Sequence, residues 1–304
     1  MRADTIAHLR GASLARRIVA WSAIGIALAL TLAAFTEPPC ATAGGFDEQL
    51  GADSLYARHV HEGLVDYAGF ERDRALLDRS LRAMAEAPPE TLAAISEHRR
   101  LATYLNAYNL ATIDLILRFR KERGGRLKSI QEIPSAWSRY HWNVAGTDRT
   151  LDEIEHRIIR LEFSEPRVHM ALVCASRSCP PLPPAPFSGD RLEVDLERVA
   201  RAFVNDASRN QFTSRGGKIR ISKIFDWYGG DFVGHYREQG LDFLYGEKNG
   251  AVLAFASLYL PEETVRALRL KEAAIDYLPY DWSLNEAPAQ PVPSPAAGAG
   301  AKKR

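Results

Sequence analysis

Three cysteines in 304 residues are too few for a disulfide-stapled scaffold, and no C-x-x-C spacing of the common zinc type occurs. No segment repeats, no glycine-rich phosphate loop is present, and no heptad run suits a coiled coil. Charge of neither sign dominates either: 39 basic and 38 acidic residues leave a net charge of +1, which gives no bulk attraction for nucleic acid. What remains is an ordinary globular composition, 46% hydrophobic and 25% charged, long enough for one large domain or two small ones.

One long hydrophobic run does occur. Arg16-Arg17 precedes the uncharged stretch Ile18 to Phe35, and Glu37-Pro-Pro-Cys-Ala-Thr-Ala-Gly-Gly45 follows, which is the basic, apolar, small-residue order of a secretory signal. Ala41-Thr42-Ala43 fits the cleavage pattern, so residues 1–43 are read as a signal peptide and Gly44 as the first mature residue. The run is also at the short end of a membrane span, and an uncleaved anchor is the one membrane attachment the sequence offers. Glu37-Pro-Pro before Cys40 is too charged and too rigid for a lipid-modification signal. Cleavage takes away four basic and two acidic residues, moving the charge from +1 to −1, and it takes Cys40. An even pair, Cys174 and Cys179, is then left in a periplasmic or secreted protein, where disulfides persist.

Helical patterning runs from Gly44 to about Ala87, is interrupted near Val65-Asp-Tyr-Ala-Gly69, and stops at Pro88-Pro89. From Ser96, residues Leu101, Tyr104, Leu105, Tyr108, Thr112, Leu115, Ile116 and Phe119 form a stripe of 3.6-residue period that ends at Gly124-Gly125. Asn109 lies at the edge of that stripe and Asn106 further round. His141 to Arg149 reads as a strand and turn, and Thr150-Leu-Asp-Glu153 as the capping box of a helix from Leu151 to about Leu161. Further helices are expected over Leu192–Asn205, Gly250–Leu260 and Pro261–Lys271, and an aromatic, acidic loop over Asp226–Asp231. The tail Glu286–Arg304, mostly Ala, Pro and Gly, is expected to be disordered. Residues 44–285 are thus one α+β domain, mainly helices packed on a small sheet of Arg167–Val173, Lys218–Ser222 and Ala274–Tyr280. Papain- and transglutaminase-like cysteine hydrolases have this kind of architecture.

The segment Arg167-Val-His-Met-Ala-Leu-Val-Cys-Ala-Ser-Arg-Ser-Cys-Pro-Pro-Leu182 gathers a histidine, two cysteines and a proline break. Three readings of the pair are open. A Cys174–Cys179 disulfide closes a small ring, contributing about 2 kcal/mol on the chain-entropy estimate. A cysteine nucleophile with a histidine base is the second. On one extended strand His169 and Cys174 point to opposite faces roughly 16 Å apart, which favours Cys179, brought back by a turn, as the partner of His169. His156 is the other candidate base, with Glu155 or an asparagine to orient it. A metal site from Cys174, Cys179, His169 and His156 has suitable residue types but not the spacing, and neither metal nor cofactor is expected. Asn106, Asn109, Trp227 and Tyr228 are candidates for holding a small molecule or peptide, although an asparagine beside a packed helix often just bonds a backbone group. Asp281-Trp-Ser-Leu-Asn285 is expected to clasp the last strand.

Six segments carry a family resemblance: Leu105-Asn-Ala-Tyr-Asn109, Leu151-Asp-Glu-Ile-Glu-His156, Arg167-Val-His169, Cys174-Ala-Ser-Arg-Ser-Cys-Pro180, Ile221-Ser-Lys-Ile-Phe-Asp-Trp-Tyr228 and Tyr277-Leu-Pro-Tyr-Asp-Trp-Ser-Leu-Asn285. In their order and spread the chain resembles the DUF547 family, a domain of unknown function. It departs from the family pattern at Val173, where the pattern has Asn, and at Thr103, where an aromatic is usual. The resemblance implies no activity. Function therefore rests on the residues, which point to a cysteine-dependent hydrolase or acyl transferase acting on an amide or thioester. The alternative is a non-catalytic envelope binding or scaffold protein with a structural disulfide.

Overall fold

In the computed structural model, residues 52–288 are described except 216, 271 and 272. The signal sequence expected over 1–43, Cys40 and all but the first residues of the disordered tail expected over Glu286–Arg304 lie outside the described residues. The start of that tail is not disordered, because Glu286 pairs with Val65 and Ala287 is buried. Among the described residues no helix is long and apolar enough to cross a membrane. Helices predominate over three small sheets, an α+β arrangement.

The helix Glu97–Glu122 is the axis of the core. Ser96 caps it by accepting the Arg99 amide at 3.3 Å, and Gly124 and Gly125, with φ of 58° and 82°, turn the chain away at its end. The expected stripe is buried, but so is the opposite face: from Leu101 to Leu117 every residue except Tyr104 is buried. Polar groups on an all-round buried helix need partners. The Thr112 hydroxyl lacks one among the described residues, but the buried Asp114 carboxylate has several. Asp114 accepts from Arg74 at 2.5 Å and from the Trp142 indole at 2.7 Å, and it pairs with Arg118 at 2.6 Å.

Around this axis stand the hairpins Val60–His61/Leu64–Val65 and Trp142–Val144/Thr147–Arg149. In the third sheet Gln211–Arg215 runs antiparallel to Lys218–Ile221, which runs parallel to Ala274–Tyr277 with Ile219 opposite Ile275. Two of the three expected strands are therefore present, and the third member is Gln211–Arg215. The stretch expected as the strand Arg167–Val173 is instead a 3₁₀ turn, Pro166–Met170, followed by irregular chain. Pro166 pre-sets the first helical φ, and the Glu165 carboxylate accepts the Arg167 amide at 2.9 Å, so the segment starts as a helix. A short apolar run cannot distinguish strand from buried helix by periodicity alone.

The loop expected over Asp226–Asp231 is likewise replaced, by the helix Lys223–Tyr228 and a 3₁₀ turn Gly229–Phe232. Ser222 caps it by accepting the Ile224 amide at 3.2 Å. Gly229 marks a close approach rather than a break: a Cβ there would lie 2.8 Å from Lys248 Cγ.

The last described segment is a strap. Leu284 donates to the Lys128 carbonyl (2.8 Å), Asn285 to that of Ala175 (3.2 Å) and Ala287 to that of Val65 (2.9 Å), while Val65 and Arg177 donate back to the carbonyls of Asn285 and Ser283. Buried Tyr67 donates its hydroxyl to Asn285 Oδ1 at 2.7 Å. Asp281–Asn285, expected to clasp the last strand, instead holds the cysteine loop and the segments around Lys128 and Val65.

Candidate active site

The Thr150–Glu153 capping box forms as expected. The Glu153 amide donates to Thr150 Oγ1 at 3.1 Å and the Thr150 amide to Glu153 Oε2 at 2.9 Å. The helix that follows widens into a π-helical stretch over Glu153–Ile159, in which the Arg160 amide reaches back five residues to the Glu155 carbonyl. Such turns change which side chains share a face and recur at functional sites. Here Glu155 is turned inward, and burial together with its negative charge pushes the Tyr108 and Tyr228 hydroxyls up from the ordinary phenol range. His156 stays half-exposed, 3.2 Å from the Arg160 guanidinium.

Buried His169 sits on the Pro166–Met170 turn. Its ring stacks on Tyr228 with centroids 4.1 Å apart, and its Nε2 lies 2.8 Å from Asp231 Oδ2. Arg160 forks the same carboxylate from Nε at 2.7 Å and Nη2 at 2.8 Å. Nε2 thus donates to the Asp231 carboxylate, which leaves Nδ1 as the ring nitrogen free to face another group. Partial burial works to raise the Asp231 pKa, yet hydrogen bonds from His169 and Arg160 together outweigh it and hold the carboxyl far below the usual range. A depressed carboxyl contributes stability that is present above its unfolded pKa and lost as pH falls through the folded one. Acid titration of the wild type should therefore show a loss of stability beginning below about pH 4 that Asp231→Asn lacks. Urea midpoints measured between pH 6 and pH 3 test this, and parallel profiles for the two proteins would refute it.

Cys174 and Cys179 form a disulfide, with Cα atoms 6.2 Å apart. Cys179 is buried and Cys174 half-buried. The Tyr280 hydroxyl stands 3.2 Å from the Cys179 sulfur and 3.4 Å from that of Cys174. It accepts a hydrogen bond from Ser176 at 3.0 Å, so its own proton is free to face sulfur. Burial pushes the Tyr280 pKa up to about 12, which keeps that proton in place at neutral pH. Arg209 grips the loop from outside, donating to the carbonyls of Cys179 (2.9 Å) and Arg177 (2.8 Å). Within the ring Ala175 has φ of 59°, a conformation uncommon for a residue with a Cβ.

These groups meet on one cavity of about 400 Å³. Both cysteines, His169, His156, Glu155, Trp227 and Tyr228 line it, together with Tyr108, Tyr280 and Trp282, which the sequence did not single out for this role. Because the stretch from His169 to Cys174 is not an extended strand, the opposite-face objection to that pair falls away. Asn106 and Asn109 are not on the cavity. Asn106 bonds both the amide and the carbonyl of Phe187, at 2.9 and 2.8 Å. Asn109 bonds the Val173 amide and the Ala171 carbonyl, at 2.9 and 3.0 Å. Each is a backbone clamp, and Asn109 fixes the approach to Cys174. The group that orients His169 is Asp231, 62 positions away, and no local spacing signals that pairing. Among the described residues no group of three or more His, Cys, Asp or Glu is placed to hold a metal ion.

Residues 92–204 match the family model described as a protein of unknown function, DUF547. No curated protein and no solved structure matches the chain. The DUF547 match spans Tyr108, Glu155, His156, His169 and both cysteines, whereas Trp227, Tyr228, Asp231, Tyr280 and Trp282 come from beyond it. The cavity is thus built mainly from the DUF547 segment, with a smaller share of its wall, including Trp227, Tyr228, Tyr280 and Trp282, from the carboxyl-terminal part of the chain.

Proposed function

We propose that the protein is an exported cysteine-dependent hydrolase or acyl transferase whose reaction site is this cavity, acting on an amide or thioester of a small molecule or peptide. One observation carries the reading: His169, with Nε2 committed to Asp231, lines the same cavity as the two cysteines. The disulfide is the resting form, since oxidised sulfur is not a nucleophile, and a dithiol reductant converts it to two thiols while itself becoming a disulfide. Cys174, the less buried sulfur, is the one a substrate carbonyl reaches. His169 Nδ1 takes the thiol proton as sulfur bonds to the carbonyl carbon. The C–N or C–S bond then breaks, and the same proton passes to the departing amine or thiol. Water, or an acceptor nucleophile in the transferase case, releases the acyl group and regenerates the thiol. Tyr280, held protonated, donates to sulfur throughout. Helices on a small sheet, as in papain- and transglutaminase-like hydrolases, are compatible with this chemistry.

The second reading is a non-catalytic envelope binding or scaffold protein. In its favour stand the closed disulfide and the Arg209 and strap contacts that brace the ring. The two part on thiol behaviour. Intact-mass spectrometry before and after a mild dithiol, followed by iodoacetamide, should show a native, folded protein gaining two labels, one faster than the other. A pair that labels only after unfolding would sink the enzyme reading and leave the structural disulfide. The same spectrum reports whether the mature chain begins at Gly44.

A further inference from the structure

The lining of the cavity has one sign of charge. Among the described residues on its wall there is no lysine or arginine, whereas Asp152 and Glu155 are both there. Their ion-pair contact is with His156, 3.9 Å from each carboxylate. Next to these stands a group of large rings. Tyr280 lies 4.5 Å from Trp282 and 4.8 Å from Trp227 between centroids, Trp227 stacks on Trp282 at 5.9 Å, and Trp137 meets Trp282 edge-on at 6.1 Å. Trp227 remains 47% exposed, an unusual state for the largest apolar side chain, and it sits on the cavity wall. Aromatic faces carry negative charge density, so rings and carboxylates favour the same guest, a cation with a modest hydration shell. An anionic group would meet two carboxylates, and a bare alkyl group would leave them unanswered.

We infer that the cavity recognises an alkylammonium group, and that the amide or thioester substrate carries one beside its reactive carbonyl. This rests on the cavity being the ligand site, as proposed above, but not on the chemistry of the cysteines. A volume of about 400 Å³ leaves room for such a head group and the acyl portion together.

The test uses the full, oxidised protein and tryptophan fluorescence, because Trp137, Trp227 and Trp282 all line the cavity. Choline chloride, titrated against matched sodium chloride, is expected to change the emission, and its uncharged isostere 3,3-dimethyl-1-butanol to bind about tenfold more weakly. Trp227→Leu and Asp152→Asn should each weaken choline about threefold to tenfold while leaving the alcohol within about twofold. Both positions are partly exposed, so these variants fold, whereas buried Glu155→Gln is the riskier third. Equal affinity for the two probes, no response to either, or choline binding indifferent to both substitutions would overturn the inference. Cys174→Ser/Cys179→Ser separates it from the reading above: choline selectivity should persist there with no thiol left to label. Inert native thiols alongside selective choline binding would defeat acyl transfer and leave the cation site standing.

Discussion

In dithiol-reduced protein, His169→Ala is expected to slow iodoacetamide labelling at pH 7 by about tenfold or more. An unperturbed cysteine, with a pKa near 8.5, is only a few per cent thiolate at that pH, while one beside an imidazolium is mostly ionised. Any amide or thioester turnover traced to the cavity should fall further, by about 10²–10⁴, since base and acid are lost together. His156→Ala is the matched control: that ring is half-exposed and bonds Arg160 rather than Asp231, so labelling should stay within about twofold of wild type. Asp231→Asn, acting through the histidine, should move the pH midpoint of labelling rather than abolish it. Equal rates for His169→Ala and His156→Ala would remove His169 from the mechanism.

Asp114→Ala is expected to be the most damaging substitution outside the cavity. The carboxylate is wholly buried and answers Arg74, Arg118 and the Trp142 indole, so its removal strands three donors at once. Breaking a buried pair from one side costs about 3–5 kcal/mol. Arg74 and Arg118 are partly solvated and can turn outward, which places the expected loss near about 3 kcal/mol, a large share of the stability of a typical domain. At roughly 2–4 °C per kcal/mol for this size, the midpoint of thermal unfolding drops by roughly 10 °C. A urea midpoint shift with unchanged slope would confirm it, and a loss below about 1 kcal/mol would show that the site collapses around the gap.

Helix termini were the most legible part of the sequence. Ser96 and Gly124-Gly125 bracket the central helix, and Thr150 with Glu153 opens the next, because capping is chemistry between residues three or four apart. What escaped reading was decided at long range. Arg167–Val173 looks extended by composition but is steered by Pro166 and Glu165 and packed by partners far away in the chain. The π-helical widening that turns Glu155 inward has no composition of its own. The site divided along the same line: the cysteine pair, His169 and Glu155 stood close together in the chain and could be nominated, while Asp231, Tyr280 and Trp282 are joined to them only by folding. Asn106 and Asn109 were conspicuous for being polar on an apolar helix, and burial explains them, since each closes two backbone hydrogen bonds.

The strap over residues 280–287 carries the last part of the cavity to be synthesised. It supplies Tyr280 and Trp282 to the cavity and ties the cysteine ring to Val65 and Tyr67, the latter bonding a residue 218 positions away. During synthesis the cysteines leave the ribosome more than a hundred residues before Asn285. For that interval their ring has neither the tyrosine hydroxyl above it nor the backbone rungs beside it. Until those residues are made, the sulfurs lack this cover and stay accessible to oxidants and to wrong partners.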